Sequence, residues 1–283
     1  MNKSYKTGFP IGIAILSWKA PQTIRNTLIN YQENNFFSLF EDVVLCFQEI
    51  SDQDKALAEE FGIRCVGTAQ NTGILGGFQF ACDNLNSDYV MVLENDCLFR
   101  GDLTTAKNRL SEALSLLDQG QADLCRMRSR YHPGPPVRAA SMYSKFFPIR
   151  ELAKEWADAE TLSDSPNWLR FLRRTIRPLK ARKWIGRSVY VEEKPDELYP
   201  KYIQKIGDSF IVDSQVLTWT NQPTLLRKSL LRELLTYAEA HPSSRTVNGF
   251  QDFEKNLNRN DWKKRHLKIG ISKGIFTHKR LDR

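Results

Sequence analysis

The sequence predicts an α/β fold in which helices cover both faces of a doubly wound, mostly parallel, Rossmann-like sheet. Four apolar runs have the length of strands, namely Ile11–Leu16, Val43–Phe47, Ile63–Val66 and Tyr89–Leu93. Continuous apolar runs of this length are typical of parallel strands buried on both faces. Their spacing leaves room for one helix between successive strands, as in βαβ units, and such sheets bind ligands at the carboxyl ends of their strands.

Helical patterns lie between these runs. Pro21 suits a first helical turn, Ser51 and Asp52 suit a helix cap, and Gly62 suits a helix end. In chain order, the pattern predicts helices over 21–31, 51–61, 78–85 and 102–117, a strand near 123–128, regular structure over 224–235 and a last strand ending near 275–276.

Residues 131–205 interrupt this regularity, because they contain eight prolines and little clean periodicity. We predict that they form an inserted basic arm, partly helical and without sheet. The chain is then a single domain over 1–283, with a first half at 1–130 and a second half at 206–283.

Composition excludes several classes of protein. The chain has 283 residues, 41% of them hydrophobic and 26% charged, which is ordinary for a globular domain. No apolar run approaches the ~20 residues that span a bilayer. The five cysteines are odd in number and form no C-x-x-C pair. They predict buried, reduced thiols in a cytoplasmic protein, and Lys3 and Lys6 precede a first strand rather than a signal peptide.

Charge is divided unevenly along the chain. Residues 1–98 hold 6 Lys and Arg against 12 Asp and Glu, whereas the remainder holds 35 against 21. An acidic first part followed by a basic second part predicts an anionic partner for the basic part.

Several common site motifs are absent from the sequence: G-x-G-x-x-G after the first strand, G-x-x-x-x-G-K-[ST], H-E-x-x-H and G-x-S-x-G. Nicotinamide dehydrogenases, P-loop NTPases, zincins and α/β-hydrolases therefore lose their main support.

Two motifs follow predicted strands. Glu94-Asn95-Asp96 comes directly after the fourth strand, where two carboxylates can bind a hard cation or simply end a strand in a turn. Asn71-Thr72-Gly73-Ile74-Leu75-Gly76-Gly77 precedes the third helix, where glycines allow a phosphate or ribose to approach the helix N-terminus or merely permit a tight turn.

Two further motifs lie near the C-terminus. Gln251-Asp252-Phe253-Glu254 opens a helix, so its carboxylates either complement the helix dipole or include a general base. Phe276-Thr277-His278-Lys279-Arg280 ends the last strand, where a histidine beside two cations suits a metal or a diphosphate as well as a surface role.

Taken in order, these motifs resemble those of GT-A-fold glycosyltransferases, closest to the inverting family 2 group. The resemblance rests on the apolar first strand, Gln48-Glu49-Ile50-Ser51-Asp52 after strand two, the Asn-x-Gly loop, the acidic-x-acidic motif, Gln251-Asp252 and Phe-Thr-His. It covers roughly 10–128 and 215–280. Relatives usually carry Asp where Glu94 stands, a carboxylate where Gln48 stands, and Glu where Gln251 stands.

The resemblance implies an enzyme that transfers a sugar from a nucleotide-diphosphate sugar (UDP, GDP or dTDP type) with inversion, in building a surface glycan. Residues 1–130 would bind the nucleotide sugar and 206–283 the acceptor. Mn²⁺ or Mg²⁺ would be bound by Asp96 and His278, and Asp252 would be the base, with Glu254 as its rival. The donor would be contacted by Gln48, Glu49, Asn71, Gly73, Gly76, Gly77, Glu94, Asn95, Lys279 and Arg280.

The acceptor is expected near Trp219-Thr220-Asn221-Gln222, because an aromatic face beside amides suits a sugar ring; the alternative is that Trp219 packs beneath the sheet. Residues 165–191 carry eight Lys and Arg and no acidic residue, on a helical pattern with an apolar face. This segment predicts contact with an anionic membrane surface or a lipid-linked acceptor. Its alternatives are a solvated helix that packs on the domain by its apolar side and, ranked lowest, nucleic-acid binding.

Two other functions stay open. A degenerate transferase that only binds nucleotide or glycan, or serves as a basic scaffold, would explain Gln48, Glu94 and Gln251. A nucleotidyltransferase is less favoured, because Ser17-Trp18-Lys19-Ala20 stands where a glycine-rich phosphate loop with an arginine is expected.

Overall fold

The computed structural model describes residues 8–135, 138–154, 162–244 and 246–281. Within these ranges ten strands form one sheet, in the order β3-β2-β1-β4-β9-β6-β12-β8-β7, with β5 paired to β12, and two more form a hairpin. The strands are β1 (Phe9–Ser17), β2 (Phe40–Gln48), β3 (Cys65–Thr68), β4 (Tyr89–Glu94), β5 (Cys97–Phe99), β6 (Leu124–Arg128), β7 (Ile203–Ile206), β8 (Ser209–Asp213), β9 (Thr224–Arg227), β10 (Thr246–Val247), β11 (Phe250–Gln251) and β12 (Lys268–His278).

Helices flank this sheet. The α-helices are α1 (Pro21–Glu33), α2 (Asp52–Glu60), α3 (Gly73–Asp83), α4 (Leu103–Asp118), α5 (Ala139–Ser144), α6 (Asn167–Ile176), α7 (Pro178–Ile185), α8 (Pro195–Leu198), α9 (Lys228–Ala240), α10 (Phe253–Leu257) and α11 (Asn260–Lys264), with 3₁₀ turns at Phe36–Leu39 and Gly186–Tyr190. Among the described residues, no helix is both long and apolar enough to cross a bilayer.

The predicted α/β fold is confirmed. Strands β1 to β4 are parallel, β6 is parallel to β12, and the antiparallel strands β9, β8 and β5 interrupt an otherwise common direction. Strands β5, β7, β8, β10 and β11 were absent from the sequence prediction, and the third helix begins at Gly73, earlier than predicted. The glycines at 76 and 77 therefore belong to α3 and not to a loop.

Local sequence explains where the first helices begin. Pro21 occupies the first turn of α1, where its missing N–H is not needed. Ser51 and Asp54 form a reciprocal capping box at α2, and the Asp102 carboxylate accepts from Thr105 N at the start of α4. These caps fix where the two helices begin. Helix α2 begins after the loop that follows β2, and α4 begins after the loop that follows β5.

Two apolar clusters cover the two faces of the sheet. One includes the inward side of α3 and α9, and the other includes α1 and α4. All five cysteines are free thiols, and four of them are buried. Burial raises the pKa of the Cys46 thiol to about 12, which keeps it protonated.

The inserted segment differs from the predicted arm. Val189 and Val191 are fully buried in the cluster that also contains α3 and α9, and Ile203 already belongs to strand β7. Residues 136–137 and 155–161 of this segment lie outside the described residues. Residues 189–191 and 203 thus belong to the main core, whereas helix α6 of the same segment has no buried residue.

A buried carboxylate holds the insertion together. Glu192 is fully buried, and its carboxylate accepts from the Tyr143 hydroxyl at 3.0 Å and from the backbone N–H groups of Arg150 and Glu151. These three hydrogen bonds replace the ones that the Glu192 carboxylate would make with water if it were exposed.

We expect Glu192→Ala to lower the free energy of unfolding by about 3 kcal/mol, because the buried Tyr143 hydroxyl and two backbone N–H groups would lose their acceptor. Urea denaturation followed by circular dichroism measures this change. The control is Glu197→Ala, whose exposed side chain pairs with Lys194, and which should change stability by under about 1 kcal/mol. Equal effects of the two substitutions would contradict the role of Glu192.

Candidate functional site

Three potential metal ligands meet at the carboxyl end of β4. Atoms of Glu94, Asp96 and His278 lie within 4.8 Å of one another. Their meeting follows from the strand register, because β5 pairs antiparallel with the end of β12 and Cys97 stands opposite His278. The turn between β4 and β5 is thereby brought against the last residue of β12.

Helix α1 holds the turn between β4 and β5 in place by hydrogen bonds. The Thr27 hydroxyl donates to the Asn95 carbonyl at 2.6 Å, the Tyr31 hydroxyl donates to the Cys97 carbonyl, and the Asn30 side chain accepts from Phe99 N. The Asn95 side chain donates to the Ser17 hydroxyl at the end of β1. The polar atoms of α1 thus fix the backbone that carries Glu94 and Asp96.

A buried arginine holds the other side of the cluster. Arg128 donates to the Pro133 and Gly134 carbonyls, at 2.6 and 2.7 Å. The same loop receives His278, whose N–H donates to Pro133 O and whose Nδ1 lies 2.8 Å from Pro135 O. Because a carbonyl can only accept, Nδ1 carries a hydrogen, and in the neutral ring Nε2 then offers a lone pair.

The Nε2 lone pair faces a buried carboxylate oxygen that has no hydrogen bond. Asp96 Oδ1 lies 2.9 Å from His278 Nε2 without hydrogen-bond geometry, and this buried oxygen has no hydrogen bond. Burial and, after it, the nearby Asp96 charge together raise the pKa of Glu94 to about 7. Two carboxylates and an imidazole facing one another are a donor set that suits Mn²⁺ or Mg²⁺, so the residues fit a divalent cation.

A cleft of about 180 Å³ opens beside these ligands. It is lined by Leu16, Ser17, Trp18, Gln48, Asn71, Gly73, Ile74, Glu94, Asn95, Asp96, Val247, Asn248, Phe250 and Arg280. Seven of the residues expected to contact a donor or metal are in this lining: Gln48, Asn71, Gly73, Glu94, Asn95, Asp96 and Arg280.

Two of these side chains also shape the start of α3. The Gln48 amide accepts from Thr72 N at 2.7 Å and donates to Gly73 O, and Asn71 Oδ1 accepts from Gly73 N at 2.8 Å. Gln48, in place of the carboxylate that relatives carry, therefore ties the end of β2 to the loop. These bonds occupy two N–H groups that the sequence analysis expected to be open to a ligand.

Gly76 and Gly77 do not line the cleft. A Cβ on Gly76 would lie 2.6 Å from the Thr72 side chain, and one on Gly77 would lie 2.8 Å from Leu16 Cδ2. Gly77 therefore lets α3 pack closely on β1, and Gly76 leaves room for the Thr72 side chain. Their direct contact with a donor stays a prediction.

The end of β1 contributes a residue that the sequence analysis did not assign. Trp18 lines the cleft, and its indole N–H donates to Glu49 Oε2 at 2.7 Å. Lys19 Nζ lies 2.7 Å from the same oxygen, and these two donors lower the pKa of Glu49. The position of Trp18 directly after a buried parallel strand was the signal that could have identified it.

A short hairpin covers the cleft. Strands β10 and β11 enclose the two-residue turn Asn248-Gly249, and both turn residues have positive φ, of 51° and 84°. Asn-Gly is the preferred sequence for such a turn, so this hairpin was detectable from the sequence. Phe250 packs on Gly73, where any Cβ would lie 2.3 Å from the Phe250 Cβ.

Asp252 and Glu254 occupy different surroundings next to this hairpin. Asp252 caps α10 by accepting from Lys255 N at 3.2 Å. Glu254 accepts from Asn221 N at 2.8 Å, and burial raises its pKa. The Glu254 charge also raises the pKa of Glu94, which places Glu254 within electrostatic range of the acidic cluster.

The acceptor role expected for Trp219 is not supported. Its ring is 3% exposed and packs against Phe253 and Trp262, so neither face is open to a sugar. The alternative of a buried ring is correct. Asn221 accepts from the Trp219 indole, and Gln222 accepts through its carbonyl from Thr224, so both are partly engaged in the local fold.

Of the two cations after His278, only Arg280 lines the cleft, and its charge lowers the pKa of Glu94. The Lys279 side chain is exposed, whereas its backbone N–H donates to Asp96 O at 2.8 Å.

No family model and no curated protein matches the chain. Its fold is similar to that of several solved structures. Glucosyl-3-phosphoglycerate synthase from Mycobacterium tuberculosis, in complex with Mn²⁺, UDP-glucose and phosphoglyceric acid, is 11% identical over 96% of this chain and 72% of that one, with a TM-score of 0.47. S. aureus TarS 1–349 is 13% identical over 95% and 60%, with a TM-score of 0.45.

A third similar structure is the mannosyltransferase PcManGT from Pyrobaculum calidifontis in complex with GDP-Man and Mn²⁺, which is 12% identical over 42% of this chain and 35% of that one, with a TM-score of 0.35. This chain thus spans 60% of the length of TarS 1–349 and 35% of the length of the mannosyltransferase, which is less than two thirds of each. Similarity at these TM-scores carries no conclusion about activity, so function rests on the residues of the site.

We expect Mn²⁺ alone to raise the melting temperature of the protein, because a ligand that binds only the folded state stabilises it by about 2.7 kcal/mol at one hundred times its Kd. Asp96→Asn should abolish the rise, since it removes the charge on the unpartnered Oδ1. Differential scanning fluorimetry with a Mn²⁺ titration measures this. The control, Asp208→Asn, changes an exposed carboxylate and should keep the full shift; an equal shift in the Asp96 variant would reject this cation site.

Proposed function

We propose that the chain is a metal-dependent glycosyltransferase that moves a sugar from a nucleotide-diphosphate sugar to an acceptor hydroxyl. The observation that carries this proposal is the cluster of Glu94, Asp96 and His278, with its unpartnered buried oxygen, at the edge of a cleft beside the N-terminus of α3. A cation ligand set next to a helix N-terminus is suited to a diphosphate, which both can neutralise.

Asp96 and His278 would hold the cation, with Glu94 as a third donor. When bound, the cation would neutralise the charge that develops on the departing diphosphate. Arg280 lines the same cleft and would add a second positive charge to that leaving group. Trp18, at the end of β1, offers an apolar face for the donor, while Gln48 and Asn71 hold the loop against which it would lie.

The hairpin β10–β11 contributes Val247, Asn248 and Phe250 to the lining of the cleft. A donor in the cleft would therefore contact the hairpin, which would shield the donor from water.

Asp252 is the proposed base. Its capping bond uses Oδ1, which leaves Oδ2 to take a proton from an acceptor hydroxyl as that oxygen attacks the anomeric carbon. Attack opposite to the leaving diphosphate inverts the configuration in a single displacement. Glu254 is the rival base, because it is close enough to Glu94 to affect its pKa.

The acceptor would be a glycan or a lipid-linked sugar, approached through Asn221 and Gln222. A degenerate protein that binds nucleotide without turnover is the alternative from another class. It would keep the cation-dependent binding and lose only the transfer, so measurements of binding and of turnover separate the two.

We expect one of UDP, GDP, CDP and dTDP to raise the melting temperature in the presence of Mn²⁺ and not in its absence, because the diphosphate and the cation bind together. The shift should disappear in Asp96→Asn and persist in Asp208→Asn. Fluorimetry across the four nucleotides measures it. The absence of a shift with all four nucleotides would remove the donor site and leave the scaffold function.

We expect Asp252→Asn to lower transfer by about 10²–10⁴-fold while nucleotide binding is kept, because the amide cannot accept the proton. Asparagine is also a good helix cap, so the substitution spares α10. Release of nucleoside diphosphate in the presence of acceptor measures the rate. The matched variant, Glu254→Gln, keeps the acceptor for Asn221 N and should retain most activity.

The pair of variants decides the base. If Glu254→Gln loses transfer and Asp252→Asn keeps it, the base is Glu254. If both variants retain wild-type turnover, neither carboxylate is the base and the proposed mechanism is wrong.

A further inference from the structure

Helices α6 and α7 expose a continuous apolar face to solvent. Trp168 is 67% exposed, Phe171 63%, Ile176 65% and Leu179 72%, and Leu172 lies among them with 41%. The α6 members recur at helical spacing and therefore share one side of the helix. Among the described residues, Trp168, Phe171, Ile176 and Leu179 are the four most exposed large hydrophobic side chains, and they lie within one short stretch of sequence. Scattered exposed apolar residues need no explanation, whereas a contiguous patch marks an interaction surface.

The arginines of α6 face the protein and not the solvent. Arg170 donates to the Ser144 and Ser163 carbonyls, Arg173 to the Lys145 carbonyl, and Arg174 to the Phe146 carbonyl. The helix thus meets the domain through its basic side. This is the reverse of the solvated helix weighed from the sequence, which would have packed its apolar side inward.

These hydrogen bonds fix the direction of the apolar face. Six carbonyl and hydroxyl acceptors are bound by the guanidinium groups of α6, among them the Ser165 hydroxyl and the Asn167 side chain. Turning the helix to bury its apolar side would break the bonds to the Ser144, Lys145 and Phe146 carbonyls and leave these carbonyls without their arginine partners. The hydrogen bonds of the α6 arginines therefore keep the apolar face of the helix exposed.

A groove with cationic walls borders the same face. It has a volume of about 500 Å³ and is lined by Met142, Lys145, Phe146, Leu172, Arg173, Ile176, Arg177 and Lys180. Its apolar lining continues the exposed face, and its cations stand above that lining. Arg177, Lys180 and Lys183 are exposed beyond it. No acidic residue occurs in 165–191.

We propose that this face inserts into the interface of an anionic lipid bilayer, with lipid phosphates bound at the groove by Lys145, Arg177 and Lys180. Tryptophan and phenylalanine are suited to the depth of the headgroups, and flanking lysines and arginines are attracted to anionic lipid. The charged residues that line the groove, like those of residues 165–191, are all Lys or Arg, so this surface is complementary to an anionic partner. A bilayer matches both properties of the face at once, an apolar layer beneath a layer of negative charge.

The test is flotation with vesicles of phosphatidylcholine alone or with about 30% phosphatidylglycerol. We expect binding to the anionic vesicles, weakened by added salt. Trp168→Ser combined with Phe171→Ser should lower the vesicle affinity at least about tenfold, because two aromatic side chains no longer enter the interface. The matched control is Ile29→Ser, which removes an exposed apolar side chain from α1 and should bind as wild type does.

A second readout follows the insertion itself. Brominated lipid should quench the fluorescence of the wild-type protein, and the quenching should fall in Trp168→Phe, which keeps an aromatic ring at that position. Because none of these residues belongs to the candidate active site, nucleotide-dependent thermal shifts should be equal in all variants. Failure of vesicle binding thus does not depend on failure of the proposed transferase.

Three results would overturn the proposal. Equal binding to neutral and anionic vesicles would reject the lipid phosphates, and full binding by the Trp168 and Phe171 double variant would reject the face. A concentration-dependent dimer that becomes monomeric in the same double variant, without vesicle binding by the wild type, would identify the face as a contact between copies of the chain.

Discussion

The antiparallel pairing of β5 with the end of β12 is the constraint on which the candidate site depends. It joins His278, near the end of the chain, to a turn that begins at Glu94. Without it, β4 would simply end in a loop, and its two carboxylates would have no imidazole opposite them. The pairing is supported from both sides, since α1 binds the turn and Arg128 binds the loop that receives His278. Hydrogen bonds from the buried side chains of Thr27 and Arg128 therefore help to hold the site in place.

The sequence was most informative where strands end. Asp96 and His278 are far apart along the chain, yet both follow apolar runs, and parallel strands bring their carboxyl ends to one edge of a sheet. The same reasoning could not predict which residues pack against an aromatic ring. Trp219 follows β8 and precedes β9, and nothing local to it indicates that its ring packs against Phe253 and Trp262. The Asn248-Gly249 turn was readable and was overlooked.

Charge patterns were the least decisive, because the sequence does not say what an arginine binds. Arg126 and Arg128 are buried and donate to carbonyls and to Tyr190, so these cations serve the fold. The arginines of α6 likewise bind carbonyls of residues 144–146. A basic amphipathic sequence has the same pattern whether its apolar side is buried or exposed. The orientation of α6 is decided by the carbonyl acceptors on a neighbouring segment, and the periodicity of the sequence does not reveal these acceptors.

The acidic cluster imposes a cost on the folded state. Burial and Asp96 raise the pKa of Glu94 from 4.5 to about 7, so the folded chain keeps a proton that the unfolded chain releases. The free energy of unfolding consequently falls as the pH rises from about 4.5 to about 7. A cation among these oxygens reverses the effect, because it favours the ionised carboxylate. Carboxylates that weaken the fold when unpaired and strengthen it around a cation are better explained by a ligand than by stability.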